Sequence, residues 1–336
     1  AAVAEGKGAA APVAGKPDDA VRVVASELMS GQRKAILLGN AALQHPQAGT
    51  LLALAHWIAE LCGASVGVLG EAANSVGAQW VRALPGPSGL HAGQMLSQPM
   101  KALLLLNVEP AHDGADPAAA RAALQGSGLV VALTPFRDAA VDNADVLLPI
   151  APFSETAGTF VNAEGTAQSF LGVVKPSGEA RPAWKVLRVL GNLLGLPGFN
   201  QDSSEAVRDE ALSATDATTR LSNAPAEAPA LPAVVRGLER VSDVPIYCTD
   251  ALVRRAAALQ VTRDAQAPVV GVPSALWQQL GLQAGAQVRV WQNGAAAVLP
   301  AREDPSLAPT AVRVAAGHSS TASLGPMFGA ISVAAA

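Results

Sequence analysis

The sequence has few cysteines, few aromatic residues and few charged residues, and each shortage excludes something. Cys62 and Cys248 are the only two cysteines in 336 residues. An iron–sulfur cluster needs about four thiolates, and a structural zinc site needs about four Cys or His ligands at short spacing. The five histidines show no such spacing. We therefore predict that this chain has no metal ligands and carries no cluster of its own.

Aromatic residues make up 4% of the chain and hydrophobic residues 50%, so the core must be built mainly from Ala, Val and Leu. Charged residues amount to only 15%, against roughly 25% in average globular proteins. Two explanations stay open: part of the surface is covered by partner proteins, or the composition is Ala-rich throughout. The net charge of −4 and the absence of any Lys/Arg run argue against nucleic acid as a partner, because a basic surface is then expected.

Long hydrophobic runs are also missing. None approaches the ~18–20 apolar residues of a membrane-spanning helix, and the N-terminus lacks the continuous apolar stretch of a signal peptide. We therefore predict a cytoplasmic protein without direct membrane insertion, which reaches a membrane only through other subunits. The length is sufficient for two domains.

What the sequence does contain is an alternation of apolar runs and helical patterns. The runs are predicted strands, because they are short, apolar throughout and followed by turn residues; they cover 35–39, 65–69, 102–107, 129–133 and 146–150. Helices are predicted between them, including 45–62 and 116–124. Apolar strands separated by helices indicate a parallel sheet with both faces covered. The predicted fold class is therefore α/β, with a doubly wound parallel sheet.

The most distinctive segment covers residues 152–196. It combines turn glycines with polar residues and ends in an apolar helix; its marked positions are Glu155, Gly158, Thr159, Asn162, Glu164, Gly165, Gln168 and Trp184. This pattern resembles a segment of the molybdopterin-oxidoreductase family. The variant here is similar to the branch formed by the large iron–sulfur subunit of bacterial respiratory complex I, the NADH:quinone oxidoreductase.

The resemblance implies a domain organisation. Residues 1–17 are predicted to be a flexible linker, 18–199 the α/β domain of the molybdopterin-oxidoreductase type, and 200–265 an acidic and Pro-rich connection with helices. The pattern of 266–336 resembles the smaller C-terminal β-barrel-like domain of the family, with Asn293 and Gly294 as a tight turn. The abrupt start of the sequence suggests an internal piece of a longer protein.

The resemblance also implies a function. Most members of this branch kept the fold and lost the molybdenum cofactor. The chain is then a structural, non-catalytic region without a cofactor, and electrons pass from NADH to quinone through iron–sulfur clusters in the missing N-terminal part. Its partners would be the other peripheral-arm subunits of complex I, which hold it at the cytoplasmic side of the inner membrane. One alternative is a fragment of an active molybdopterin oxidoreductase, similar to formate dehydrogenase; another is a module that binds a small ligand.

A ligand of such a sheet would lie in a crevice at the carboxyl ends of the strands. The polar residues that follow the predicted strands are Asn40, Glu71, Asn74, Asn107 and Glu109. They are either remnants of a ligand site or ordinary turn residues. Glu109, Asp113, Asp116 and His112 could in addition be drawn as a metal site, but such a loop is more often solvated, with Asp116 capping the helix from Pro117.

Within the distinctive segment, Gly158 and Gly165 are expected to relieve strained backbone. Asn162, Glu164 and Gln168 are expected to be hydrogen-bonding anchors. The helix over 182–196 has one narrow polar stripe, so it is predicted to be buried on most sides, with Trp184 at the centre of the α/β core.

Overall fold

The computed structural model describes residues 1–12, 17–138, 143–213, 217–226 and 237–336. The chain divides into two compact units, each built from separate stretches. The first unit comprises 1–83, 160–168 and 212–234, and the second comprises 84–159, 169–211 and 235–336. These units do not follow the predicted boundaries at 17, 199 and 265, so the predicted domain division stays a prediction. Residues 13–16 of the predicted linker and 214–216 and 227–236 of the predicted connection lie outside the described residues.

The helices are, in chain order, α1 (Ala2–Lys7), α2 (Asp19–Ser30), α3 (Asn40–Leu43), α4 (Ala48–Cys62), α5 (Ser75–Trp80), α6 (Ala92–Met95), α7 (Pro110–Asp113), α8 (Pro117–Gly126), α9 (Ala183–Leu193), α10 (Ser204–Ser213), α11 (Ala217–Arg220), α12 (Ala251–Arg255), α13 (Ala257–Gln260) and α14 (Ser274–Gln279). The strands are β1 (Ala35–Leu38), β2 (Ser65–Val68), β3 (Leu103–Leu106), β4 (Val130–Thr134), β5 (Val146–Pro149), β6 (Gly158–Val161), β7 (Ala167–Phe170), β8 (Glu239–Val241), β9 (Val270–Val272), β10 (Gln287–Gln292), β11 (Ala295–Glu303), β12 (Ala311–Arg313), β13 (Gly329–Ala330) and β14 (Ser332–Ala335).

The first unit contains a two-stranded parallel sheet, in which Ala35 pairs with Ser65 and Leu38 with Val68. Helix α4 connects the two strands and packs against both. It ends at Gly63, whose positive φ of 70° reverses the chain in the way that favours glycine. This strand–helix–strand arrangement is the one predicted from the sequence.

The N-terminal segment differs from its prediction as a flexible linker. Residues Ala2–Lys7 form helix α1, which packs on α2 and α4. Val3 and Ala4 are buried there, and Glu5 forms an ion pair with Arg22 of α2 at 2.9 Å. Low sequence complexity suggested a linker, but the few apolar residues are enough to hold a short helix against α4.

The second unit contains a three-stranded parallel sheet in the order β3–β4–β5. Leu103 and Leu105 point into a core that also holds Leu124 of α8 and Val130 of β4. The α/β fold class with parallel strands is confirmed, although the strands are distributed over two sheets.

The predicted cover on both faces does not extend to β3. In β3 the residues alternate, so that Leu104 is 47% exposed and Leu106 42% exposed while their neighbours are buried. Leu133 of β4 pairs with Leu106, lies on the same face and is 0% exposed, so this face is covered at β4 and open at β3. The apolar run predicted the strand correctly, but it did not reveal which part of the sheet stays open.

The C-terminal part of the second unit is a seven-stranded, barrel-like sheet in the order β13–β8–β12–β9–β11–β10–β14. Its core is made of small aliphatic residues, including the fully buried Val288, Val290 and Leu324. Asn293 and Gly294 have φ values of 49° and 84° and connect β10 to β11, as the turn signal predicted. Strand β8 belongs to this sheet although it precedes residue 266.

Helix α9 is less buried than predicted. Gly191 is its one buried residue, Trp184 is half-buried, and Leu193 is 79% exposed. The prediction that Trp184 lies at the centre of the core is therefore wrong. The narrow polar stripe showed that the helix is apolar on most sides, but it could not show which sides other elements cover.

Candidate functional site

The carboxyl edge of the β3–β4–β5 sheet holds a cluster of ion pairs between Arg254, Arg255 and three carboxylates. Asn107 follows β3 in the left-handed conformation, with a φ of 52°, and turns the chain so that Glu109 points inward with only 6% exposure. Phe136 and Asp138 follow β4. This edge is where an α/β sheet typically holds its ligand.

Helix α12 supplies two cations at this edge. Asp250 begins the helix by accepting hydrogen bonds from the backbone N–H groups of Leu252 and Val253, at 2.8 and 2.9 Å, which is ordinary N-capping. The helix is short, and Arg254 and Arg255 occupy its last turn. Both guanidinium groups are directed at Glu109, although helix and carboxylate are far apart in the sequence.

The two arginines share Glu109 between them. Arg254 Nη2 donates to Glu109 Oε2 at 3.0 Å, and Arg254 Nη1 donates to Asp113 Oδ1 at 2.9 Å. Arg255 Nη2 lies 2.7 Å from Glu109 Oε1 in an ion pair, although its N–H is not aligned with that oxygen. Asp113 Oδ2 also accepts from the backbone N–H of Glu109 at 2.7 Å. The two guanidinium groups are thus held by buried and partly buried carboxylates.

Arg255 makes the most complete set of contacts. Its Nε donates to both oxygens of Asp138 at 3.1 Å, and its Nη2 donates to Asp138 Oδ1 at 2.7 Å. The guanidinium carbon lies 4.3 Å from the centre of the Phe136 ring, within the range of a cation–π interaction. Burial disfavours the charged form, but the hydrogen bonds to Asp138 and the interaction with the Glu109 carboxylate outweigh it and raise the pKa of Arg255.

The acidic loop before α8 is thereby explained without a metal. Asp116 accepts hydrogen bonds from the backbone N–H groups of Ala118 and Ala119, both at 3.1 Å, so it caps α8 as predicted. Glu109 and Asp113 bind arginines. Among the described residues, no group of three or more His, Cys, Asp or Glu side chains is arranged to hold a metal ion.

The five residues predicted to line one crevice are divided between the two units. Asn40, Glu71 and Asn74 lie in the first unit, and Asn107 and Glu109 in the second. Asn74 Oδ1 accepts from the backbone N–H of Val161 at 2.8 Å, and Glu71 accepts a hydrogen bond from Gln44. Asn40 is the exposed first residue of α3. Asn74 thus holds the end of β6 in place in the first unit.

The distinctive segment forms a hairpin of β6 and β7. Asn162 Oδ1 accepts from the backbone N–H groups of Glu164 and Thr166 at 3.0 and 2.9 Å, and Gly165 has a φ of 83°. A side chain at Gly158 would place its Cβ 2.5 Å from the Phe170 ring, so a larger residue here would have to displace that ring. These contacts organise the turn and the base of the hairpin.

Of the other marked residues, some make hydrogen bonds and others are exposed. Thr159 Oγ1 lies 3.0 Å from Ser169 Oγ across the hairpin, and Glu155 Oε2 accepts from the backbone N–H of Ser177 at 3.0 Å. Glu164 and Gln168 are exposed, whereas anchors between segments are expected to be covered. Trp184 contacts Lys185, whose Nζ lies 5.4 Å from the ring centre.

A buried arginine that sequence reasoning missed lies inside the barrel-like sheet. Arg240 of β8 is 1% exposed. It donates to backbone carbonyl oxygens from four residues and to the side chain of Gln292, at 3.0 to 3.2 Å; the carbonyls belong to Val314, Ala315, Gly325 and Pro326. Burial lowers the pKa of Arg240 to about 10, and the charge of Asp116 opposes this shift. The group therefore remains a cation at neutral pH.

Two histidines lie near each other in the second unit, and one of them is sensitive to pH. His318 Nδ1 accepts from the backbone N–H of Ser320 at 3.1 Å. Burial lowers the pKa of His318, and the nearby charge of His112 lowers it further. The folded chain therefore binds a proton at His318 less readily than the unfolded chain does.

We expect this histidine to weaken the fold in acid. Its contribution to stability is complete above the unfolded pKa of about 6.5 and is lost as the pH falls through the lower folded value. Urea unfolding at a series of pH values should show this loss, and His318→Gln should flatten that part of the profile. An unchanged slope in the variant would contradict the assignment.

The two cysteines are buried in different units. Burial raises the pKa of Cys248, and the charge of Arg254 partly opposes the shift, so this thiol stays protonated at neutral pH. A thiolate is the form that ligates metals. None of the helices in the described ranges has the length and apolar character that crossing a membrane requires.

Parts of this sequence are similar to known proteins. The sequence profile of the molybdopterin oxidoreductase family matches residues 19–193. The G subunit of NADH-quinone oxidoreductase from Mycobacterium bovis is 35% identical over 140 residues, which are 40% of this chain and 17% of that protein. The corresponding protein of Streptomyces coelicolor, with the same name, is 35% identical over 151 residues, 41% of this chain and 18% of that protein.

A third relative has another name. The NADPH-Fe(3+) oxidoreductase subunit alpha of Geobacter sulfurreducens is 32% identical over 119 residues, 34% of this chain and 14% of that protein. The chain thus spans less than a fifth of the length of these relatives.

Proposed function

Because the chain belongs to the molybdopterin oxidoreductase family, we propose that it is a scaffold region of an electron-transferring oxidoreductase, of the kind that its relatives represent as the G subunit of NADH-quinone oxidoreductase. In this proposal the region carries no cofactor. Electrons pass from NADH to quinone through iron–sulfur clusters held by parts of the polypeptide outside this sequence. The signature residues act by keeping the hairpin of β6 and β7 in shape.

The proposal is supported by one observation: the arginines at the carboxyl edge of the β3–β4–β5 sheet are already paired with carboxylates. The family cofactor is a pterin dinucleotide, and its phosphate groups require cations or directed N–H donors. Arg254 and Arg255 are partly buried at the carboxyl edge of β3 and β4, and both already bind carboxylates. The three carboxylates around them outnumber the two guanidinium groups. This arrangement does not fit a polyanionic group.

The edge of the first unit supports the same view. The polar residues there are Asn40, Glu71 and Asn74; Glu71 is acidic, and Asn74 is used in binding β6. A carboxylate beside a phosphate would be repelled rather than bound. Both parts of the predicted ligand crevice are thus unsuited to the family cofactor. Their residues either make structural contacts or carry a negative charge, which repels a phosphate.

The proposed partners are the other peripheral-arm subunits of complex I, which would hold the chain at the cytoplasmic face of the inner membrane. Large apolar residues on the second unit support a covered surface: Leu171 is 72% exposed, Val173 86% and Leu193 79%. A contiguous apolar patch on a protein surface commonly marks an interaction site. The low overall charge of the chain is consistent with this.

Metal analysis tests the proposal directly. We expect the purified chain to be colourless, with substoichiometric iron and molybdenum by elemental analysis, when it is produced in cells that make the pterin cofactor. A molybdenum-loaded member of the family, produced in the same cells, is the positive control. A stoichiometric amount of molybdenum with pterin would contradict the proposal and favour the alternative, a fragment of an active enzyme similar to formate dehydrogenase.

A further inference from the structure

The surroundings of the Arg255 guanidinium have the composition of a binding site. Glu109, at 6% exposure, lies on one side, with its Oε1 2.7 Å from Nη2. Asp138 accepts hydrogen bonds from Nε and Nη2, and the Phe136 ring covers the plane at 4.3 Å. Two carboxylates and one aromatic face converge on a single planar cation.

The shape of these contacts selects a guanidinium group over an ammonium group. Asp138 is engaged through Nε and Nη2 together, which requires two N–H groups held in one plane. Contact with the flat face of Phe136 also suits the planar, weakly hydrated guanidinium. A lysine ammonium has three N–H donors on one nitrogen and no planar face, so it can contact both carboxylates but does not reproduce the paired contact with Asp138 and the face contact with Phe136.

We infer that Glu109, Phe136 and Asp138 form a guanidinium-binding site at the carboxyl edge of the β3–β4–β5 sheet, and that Arg255 occupies it as an internal ligand. Phe136 and Asp138 follow β4, whereas Arg255 comes from α12, so the site and its occupant lie on separate elements of the second unit. Without Arg255 the site would present carboxylates, and its preferred ligand would be a cation with a planar fork.

Arg254, on the same helix α12, makes a second set of contacts. Besides Glu109 and Asp113, it donates to the backbone carbonyl of Cys248 at 2.9 Å. These contacts of Arg254 help to hold Arg255 over the Phe136 ring, although α12 has only five residues. The inference goes beyond the proposed function, because it assigns a ligand chemistry to this edge whether or not the protein belongs to a respiratory complex.

Chemical rescue tests the inference. Arg255→Ala removes the internal ligand, so we expect a lower melting temperature, which millimolar ethylguanidinium should restore in a saturable way. Ethylammonium at the same concentration and ionic strength should restore little. The wild-type chain and Arg289→Ala, at an exposed position of β10, should show no saturable response to either cation. Equal rescue by both cations, or no rescue by ethylguanidinium, would overturn the inference.

A second variant covers the case in which Arg255→Ala does not fold. Arg255→Lys keeps the charge but lacks the planar fork, so its melting temperature should fall, while Arg289→Lys should leave the melting temperature unchanged. An Arg255→Lys chain as stable as wild type would show that any cation suffices and would refute a guanidinium site. These outcomes are independent of the metal analysis, so either proposal can fail without the other.

Discussion

Replacing Arg240 by Met should lower the free energy of unfolding by roughly 3 kcal/mol or more, because it removes the donor of several buried hydrogen bonds to a charged group. Met has a similar length and fills much of the same space, so the loss comes from the hydrogen bonds rather than from a cavity. Arg240 donates to carbonyl oxygens of the segment after β12 and of the segment before β13, and to Gln292 of β10. Removing the guanidinium leaves these buried acceptors without donors.

Urea unfolding of the whole chain, followed by circular dichroism, measures this loss. Arg289→Met at the exposed side of β10 is the matched control and should change the free energy of unfolding by less than about 0.5 kcal/mol. Arg240→Lys should lie between the two, since an ammonium group reaches fewer of the acceptors. If Arg240→Met were as stable as wild type, the carbonyl oxygens would have to find other donors, and the central role of Arg240 would be disproved.

The second large effect concerns the parallel sheet of the second unit. Leu133 of β4 is 0% exposed, and Leu104 of β3 is 47% exposed. Leu133→Ala should therefore cost about 2–5 kcal/mol through lost burial and the remaining cavity. Leu104→Ala removes the same atoms from a half-exposed position and should cost about 1 kcal/mol or less.

Both leucines lie on the same face of the sheet, so their comparison checks whether this face is covered at β4 and open at β3. Each variant is measured in the isolated chain by the midpoint of urea unfolding. Similar losses for the two variants would show that the outer face of β3 is covered as well, as the sequence had predicted. Trp184→Ala, at a half-buried position, should cost less than Leu133→Ala, whereas a central core position would cost roughly 3–5 kcal/mol.

Local patterns in the sequence predicted much of the fold. The apolar runs at 35–38 and 103–106 are strands, Gly63 ends α4, and Asn293 with Gly294 forms the turn before β11. These features depend on residues close together in the chain, so their physical causes are visible in the sequence. The signature between Glu155 and Gln168 likewise indicated the family, which the profile match over 19–193 supports.

Burial was harder to predict, because it depends on which other element covers a residue. Helix α1 was predicted as linker although Val3 and Ala4 are buried, and α9 was predicted as core although Leu193 is exposed. Periodicity identifies the apolar side of an element. It does not tell whether that side contacts the same chain, a partner or water.

The sequence by itself determined the alternation of strands and helices, the family signature and the lack of thiols for a cluster, because each depends on residue type and short spacing. The ion pairs at the edge of the β3–β4–β5 sheet and the hydrogen bonds of Arg240 in the barrel-like sheet were decided only by the tertiary structure. Arg254 and Glu109 are 145 positions apart, and Arg240 and Gln292 are 52 apart. Contacts over such distances require the whole chain to fold before the partners meet, so no local pattern of residues can indicate them.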